Sequence, residues 1–362
     1  GLRIVAASRL PPSLGGARMQ LRKQLLVVNA DELRLEPDEC RALIEKHGTL
    51  PQDCDIQAFQ QLTGGWPAAV RIAALAHEQA RGKRDSARQV LADPSAWPLL
   101  EAYVDEELLA PLTNLVRQFV FETAPLVRFT LQLAQSVTSS EKCGEIISSL
   151  EREGILVKEA SARNTWYRYQ PLFARCLEGR LEIENEARLT HIHLAAMEWH
   201  RDKGLLSDAV RHAFAANCPL VAADLLLTAS RQRRRLGRIG SDASWSSHLS
   251  SEAFESHPQL HVEAACSFAT RFELEAARAH LSDARQHFTR LEPVIRDDLY
   301  AVDAMIAIYG DRPEICVEIA DRGLRDCEGR DPYTLGTLRL VAANGWVARS
   351  ALEKARGIAL EA

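Results

Sequence analysis

The run Ile155-Leu156-Val157-Lys158-Glu159-Ala160-Ser161-Ala162-Arg163-Asn164-Thr165-Trp166-Tyr167-Arg168-Tyr169-Gln170-Pro171-Leu172-Phe173 decides the fold. Residues 155–159 and 165–169 are rich in β-branched, long apolar and aromatic side chains. The short segment Ser161-Ala162-Arg163-Asn164 divides them, so the pattern predicts a β-hairpin. Upstream, residues 99–153 place apolar side chains at helical intervals: Leu108, Leu109 and Leu112, then Phe119, Val120 and Leu126, then Ile146, Ile147 and Leu150. Helices that run into a two-stranded wing predict a winged-helix domain over residues 96–185.

Downstream of about residue 185 the strand signal vanishes. Alanine-rich amphipathic segments take its place: Ala195-Ala196 with Trp199 and Gly204, then Ala209, Ala213 and Ala216; Phe272 with Ala276-Ala277 and Leu281; Cys316, Ile319 and Ala320 after Pro313. Small residues at such offsets let paired helices approach closely, and units of ~30 to 45 residues of this kind predict an α-solenoid over residues 186–362. Leu352–Ala362 carries no polar capping helix, so the array is expected to continue beyond Ala362.

Upstream of residue 96 the signals change twice. Residues 81–98 are polar and hold Gly82, Lys83, Arg84, Asp85, Asp93 and Pro94, which predicts a linker or loose helix and a boundary near residue 95. From Glu36, Pro37 near a helix start, Cys40, Leu43 and Ile44, and then Pro67 followed by Ala68-Ala69-Val70-Arg71-Ile72-Ala73-Ala74-Leu75, predict a small helical subdomain over residues 36–95. Before it, residues 2–7 and Leu25-Leu26-Val27-Val28 read as two short strands separated by Pro11-Pro12 and Gly15-Gly16. Two short strands make no independent sheet. Residues 1–35 are therefore expected to be the C-terminal end of a larger α/β domain, and the chain, which starts at Gly1, a piece of a longer protein. The expected class is mainly α, with a remnant sheet, a helical subdomain, a winged helix and a solenoid.

Composition sets the outer limits. The chain has 362 residues, 46% hydrophobic and 26% charged, with 44 basic against 49 acidic side chains and a formal net charge of -5. That is globular composition, and it argues against a surface built throughout for nucleic acid. Nothing approaches the ~18 consecutive apolar residues of a membrane span, and no signal-peptide zones are present, so a cytoplasmic location and no membrane partner are expected. The eight cysteines, Cys40, Cys54, Cys143, Cys176, Cys218, Cys266, Cys316 and Cys327, form no C-x-x-C pair and read as buried thiols.

Few residues carry a chemical signal. Arg9 follows the expected strand 2–7, at the edge where α/β sheets bind ligands, and its guanidinium there suits a terminal phosphate; the plainer reading is a loop arginine. Trp66 before Pro67 offers a flat apolar surface to a ring such as adenine, with Gly65 allowing close backbone approach; the plainer reading is a helix start with a buried tryptophan. Arg231-Gln232-Arg233-Arg234-Arg235 with Arg238 is the densest basic run, yet without interleaved aromatics it reads as a solvated face or partner contact. His191, His193, His200 and His212 lack the spacing of metal ligands, and no metal site is expected. There is no G-x-x-x-x-G-K-[ST], no G-x-S-x-G and no cysteine nucleophile signature, so the chain is expected to be no enzyme and to have no catalytic residues.

Six segments, in order, resemble the large ATP-dependent LuxR-type transcription regulators of the MalT-like family, members of the STAND class of signalling NTPases. Leu2-Arg3-Ile4-Val5-Ala6-Ala7-Ser8-Arg9 is similar to a sensor-1 strand ending in its arginine, and Leu62-Thr63-Gly64-Gly65-Trp66-Pro67-Ala68-Ala69 to the lid's G-W-P motif. Tyr103-Val104-Asp105-Glu106-Glu107-Leu108-Leu109 and Tyr167-Arg168-Tyr169-Gln170-Pro171-Leu172-Phe173 match the winged helix, the latter resembling its R-Y-H-P-L-F. Trp199–Ala216 and His257-Pro258-Gln259-Leu260 resemble the start of the tetratricopeptide (TPR)-like superhelix.

The resemblance implies the central part of a longer regulator. Residues 1–35 would end the nucleotide-binding domain, 36–95 form the lid, 96–185 the winged helix and 186–362 the first part of the superhelix. It implies ATP or ADP in the full-length protein, a small-molecule or protein inducer on the superhelix, self-association of the open form, and DNA and RNA polymerase contacts only through domains outside this chain. Arg9, Gly65, Trp66, Pro67 and Gln170 are the nucleotide-binding residues it implies. Gln170 stands where the family usually has histidine, and it cannot carry positive charge, which weakens the expected ADP-bound clamp. The alternative is a helical-repeat adaptor with a degenerate nucleotide domain.

Overall fold

β1 (Leu156–Ala160) and β2 (Thr165–Tyr169) pair antiparallel, with Leu156 opposite Tyr169 and Ala160 opposite Thr165. The computed structural model that shows this describes residues 5, 16–26, 28, 32–47, 56–80, 98–138, 140–160, 165–235, 243–328 and 331–362. The hairpin tip, residues 161–164, and all but Pro98 of the linker expected over residues 81–98 lie outside them. The chain divides into two units, Gly1–Trp199 and His200–Ala362.

The first unit holds α1 (Gly16–Leu21), α2 (Pro37–His47), α3 (Ile56–Thr63), α4 (Pro67–Ala80), α5 (Pro98–Tyr103), α6 (Asn114–Thr123), α7 (Leu131–Thr138), α8 (Cys143–Arg152) and most of α9 (Pro171–Asp202). Prolines open α2, α4, α5 and α9, where the missing N–H has no helical partner to lose. In the winged helix, Thr113 caps α6 by accepting a hydrogen bond from the Val116 N–H. Phe129 and Tyr167 exchange backbone hydrogen bonds of 2.8 Å in both directions, which adds a third short rung to the wing.

The core of this unit is aromatic. Phe129 packs against Phe119 at 6.2 Å and Tyr169 at 5.7 Å, and Tyr169 against Phe173 at 5.6 Å. Leu126, Leu133, Leu150, Leu172 and Leu177 fill the space between them, all fully buried. Full burial of each such side chain contributes about 1.5–3 kcal/mol. Tyr169 keeps its polar end satisfied through a 2.6 Å hydrogen bond with the buried Thr123 hydroxyl, and burial raises its pKa. Arg168 points the other way and pairs with Glu159 across the hairpin. The two residues are thus a packing and a surface residue.

One expectation fails in this unit. Leu25, Leu26 and Val28 are in no strand, and Leu26 is 86% exposed. A strand persists only where its backbone groups pair, and among the described residues none offers that segment a partner. The other expected strand, residues 2–7, lies outside the described residues except Val5.

Helix α9 is bent at Asn185 (φ -157°, ψ 70°), whose side chain accepts from the Arg188 N–H at 3.0 Å and so restarts the helix as a cap. Arg188 then reaches the buried Glu122 at 2.7 and 3.1 Å and the Val137 carbonyl at 3.3 Å. This half-buried pair ties the second half of α9 to α6.

The second unit continues with α10 (Leu206–Ala215), α11 (Pro219–Arg235), α12 (Ser251–Ser256), α13 (Gln259–Thr270), α14 (Leu274–Gln286), α15 (Pro293–Tyr309), α16 (Pro313–Asp326), α17 (Pro332–Ala348) and α18 (Leu352–Leu360). Helices α13, α15 and α17 stack in series, and α14, α16 and α18 each pack on the helix before them. The connecting turns share one backbone form. Phe272 (φ 63°), Asp311 (φ 56°) and Ser350 (φ 60°) are left-handed, and the next N–H bonds back to the carbonyl five residues earlier: Glu273 to Phe268, Arg312 to Ala307, Ala351 to Trp346. These turns recur at an interval of 39 residues, from 272 to 311 and from 311 to 350.

Small residues set the spacing, as the sequence pattern requires. A Cβ on Gly323 would lie 2.8 Å from Tyr300 Cβ, and one on Gly345 would lie 2.8 Å from Val317 Cγ2. No described helix is long and apolar enough to cross a membrane.

Candidate functional site

The G-W-P segment turns between α3 and α4. Gly64 (φ +60°) and Gly65 (φ +67°) are both left-handed, a conformation that costs a side chain about 1–2 kcal/mol. The Leu35 N–H donates to the Gly65 carbonyl at 2.8 Å, and a Cβ on Gly65 would lie 2.6 Å from the Leu35 carbonyl oxygen. The close approach expected at Gly65 is thus made by the Leu35 backbone. Trp66, half-buried, sets its ring edge-to-face on Tyr103 at 5.5 Å, and Pro67 begins α4.

Tyr103 leads into a single π-helical turn, Val104–Leu109, closed by the Ala110 N–H donating to Asp105 O at 2.9 Å. Asp105 receives both prongs of Arg180 at 2.6 and 3.0 Å, and Arg180 also donates to Glu101 O at 3.3 Å. The Arg180 hydrogen bonds hold the Asp105 carboxyl below the ordinary aspartate pKa. This fork fixes the π-turn to α9 and, through Tyr103, steadies the seat of Trp66.

Gln170 closes the other side. Its Oε1 is 2.8 Å from where a Gly64 Cβ would stand, it is buried, and it has no hydrogen-bond partner. A half-turn of the amide exchanges Oε1 for Nε2, so the group can present an acceptor or a donor at that spot. The structure therefore brings Gly64, Gly65, Trp66, Pro67 and Gln170 to one junction between the α3–α4 turn and the winged helix. Arg9, the remaining residue of the expected set, lies outside the described residues. Leu35 and Glu101 take part without any sequence signal, since they contribute only backbone groups.

Elsewhere the candidates separate. Arg231 pairs with Glu292 at 3.0 Å and Arg233 with Glu263 at 3.6 Å, so two arginines of the basic run are engaged by acidic residues of their own unit; the side chains of Arg234 and Arg235, and Arg238, lie outside the described residues. His193 is 3.7 Å from Glu178, and His200 stacks on His212 at 5.4 Å. In the second unit a cavity of about 280 Å³ is lined by Arg285, Phe288, Arg296, Tyr300, Asp303 and Arg322 among others. Arg285 is paired with Asp303 at 2.6 Å, and Arg296 lies over the Phe288 ring at 5.4 Å.

Residues 105–189 match the family described as the MalT winged helix domain. The chain is 28% identical over 227 residues to the serine/threonine-protein kinase PknK of Mycobacterium tuberculosis, covering 62% of this chain and 20% of that protein. It is 30% identical over 227 residues to the HTH-type transcriptional regulator MalT of Cronobacter sakazakii, covering 62% of this chain and 25% of the regulator. Against MalT of Klebsiella pneumoniae it is 27% identical over 320 residues, 86% of this chain and 35% of the relative. The chain thus spans between a fifth and about a third of the length of these relatives. Residues 105–189 thus match the MalT winged helix domain, and sequence likeness to two MalT regulators extends beyond them.

Proposed function

We propose that this chain is the central regulatory part of a signal-responsive, ATP-dependent LuxR-type transcription activator. In this reading the lid turn and the winged helix close on a nucleotide held by the full-length protein, and the helical repeats receive a small-molecule or protein inducer. The observation that carries it is the junction at Gly64 and Gln170: a buried amide oxygen without a partner, beside a glycine turn, at the place where the resemblance puts the diphosphate contact. Arg9, Gly65, Trp66, Pro67 and Gln170 would hold the nucleotide; no catalytic role falls to this chain. DNA and polymerase contacts belong to other parts of the protein. An inducer acts only through its different affinities for the closed and open forms. The cavity among α14, α15 and α16, whose three arginines pair with Asp303, Glu328 and Glu318, suits a polar, hydroxyl-bearing inducer.

A second reading, a helical-repeat adaptor with a degenerate nucleotide domain, is favoured by the likeness to PknK, whose name is that of a kinase rather than of a DNA-binding protein. Reading the gene on both sides of the segment for residues 1–362 separates the two. A phosphate-binding loop upstream and a helix-turn-helix downstream are expected for the regulator. A start codon shortly before Gly1 or a stop soon after Ala362 would overturn it in favour of the adaptor.

A further inference from the structure

The left-handed turn at Phe272 folds α13 and α14 into an antiparallel pair and sets His261 of the first against His280 and Asp283 of the second. His280 and Asp283 are three residues apart on a helix and share a face. His261 Nδ1 lies 3.0 Å from His280 Nδ1 and 4.0 Å from Asp283 Oδ2, and all three ligating atoms lie within 4.8 Å of one another. Among the described residues this is the one cluster of three such side chains.

The rings are held rather than loose. Phe254 stacks on His261 at 4.5 Å and Phe268 on His280 at 5.5 Å, with interplanar angles of 29° and 10°. Burial lowers the pKa of His261 to about 4 and that of His280 below its ordinary value, so at neutral pH both rings are uncharged and each keeps a lone pair. The charged or titratable neighbours are Asp283, which opposes the shift in both, and His287, which adds to it in His261.

We propose that His261, His280 and Asp283 bind one divalent transition-metal ion of the zinc class, with water completing its coordination. Two nitrogens 3.0 Å apart share an ion at ~2.0–2.1 Å from each with an N–metal–N angle of about 95°. Two ligands of one ion at that distance can stand at most about 4.2 Å apart, so the carboxylate must swing in by less than ~1 Å. Asp283 is 49% exposed, and Gln286 Nε2 donates to its Oδ1 at 3.3 Å, which leaves Oδ2 for the ion. Two imidazoles and one carboxylate select zinc, cobalt, nickel or copper over magnesium and calcium, which take oxygen ligands. The bound ion clips the two helices of one repeat together, beside the α14 end of the arginine-lined cavity, and gives the repeat a metal-dependent rigidity.

The test is titration of the chelator-treated chain with Zn²⁺ by calorimetry, with Co²⁺ by visible absorption, and with Mg²⁺. The expected result is one Zn²⁺ site, weakened at least tenfold by His261→Gln and by Asp283→Asn and unchanged by His191→Gln. Co²⁺ d–d bands should appear without the sulfur charge-transfer band of cysteine ligation, Mg²⁺ should not bind, and Zn²⁺ should raise Tm in the unsubstituted chain but not in His261→Gln. Asp283→Asn, on a half-exposed side chain, keeps the test valid if His261→Gln fails to fold. Absence of Zn²⁺ binding, or binding unchanged in Asp283→Asn and any folded His261→Gln chain, overturns the site and leaves a proton-sharing imidazole pair.

Discussion

Replacing Gly65 by alanine tests the geometry of the Gly64-Gly65 turn. At φ +67° the new side chain incurs about 1–2 kcal/mol from the left-handed conformation alone. Its Cβ would also stand 2.6 Å from the Leu35 carbonyl oxygen and 3.2 Å from the Leu35 nitrogen, so backbone must move. That movement strains the Leu35 N–H bond to the Gly65 carbonyl, about 1 kcal/mol, and adds an overpacking cost of about 1–3 kcal/mol. The sum is about 3–6 kcal/mol. Gly154→Ala is the internal control: it shares the unit and the left-handed conformation (φ +71°), but a Cβ there meets nothing within 4 Å. It should cost only the first increment. The assay is urea unfolding of the unsubstituted chain and both variants, compared through their midpoints at constant m. Equal destabilisation by the two substitutions would refute the claim that Leu35 occupies the space beside Gly65.

Gln170→His places an imidazole at the partnerless amide position and should raise the ADP affinity of the full-length protein, more at pH 6 than at pH 8; calorimetry showing no change at either pH counts against the clamp. Arg188→Met strips the buried Glu122 of its charge partner and should destabilise the first unit by about 2–4 kcal/mol, while Arg188→Met with Glu122→Leu recovers part of that loss in a double-mutant cycle. Gly345→Ala, 2.8 Å from Val317, should destabilise the repeats, whereas Gly357→Ala, with nothing within 4 Å, should stabilise them by about 0.5–1 kcal/mol through helix propensity; thermal melts read both. In the presence of chelator, His261 is neutral in the folded state down to about pH 4 but protonates near 6.5 once unfolded. Unfolding in that window therefore takes up a proton, and stability, fully present above 6.5, declines as pH falls toward 4. Denaturant midpoints across this range should show that slope, and His261→Gln should reduce it, the remainder coming from His280.

The hairpin, the helix starts at Pro37, Pro67 and Pro313, and the repeated alanine-rich helices were legible because each has a local cause: alternation, a fixed φ or a small side chain at a contact. The G-W-P and winged-helix motifs were legible as motifs, and their meeting at Gly64 and Gln170 follows from packing that no local pattern encodes. Leu35 was invisible because it works through its backbone. The pairs Asp105–Arg180 and Glu122–Arg188 join residues 75 and 66 positions apart, and a charge at either position has no local signature. His261 and His280 were passed over for the denser histidines near residue 200, because closeness in sequence is a poor guide to closeness across a helical turn. The segment Leu25–Val28 looked like a strand because apolar content alone cannot report whether a pairing partner exists.

The 39-residue interval of the left-handed turns has an engineering and evolutionary consequence. Each interval begins and ends on the same backbone geometry, so an in-frame duplication or deletion of one whole interval, such as residues 273–311, would rejoin equivalent atoms and leave the stacking register intact. An insertion of any other length would have to be absorbed by a loop. The array is thus adjustable in length by whole copies, and its neighbours need only match at the two faces where a copy enters.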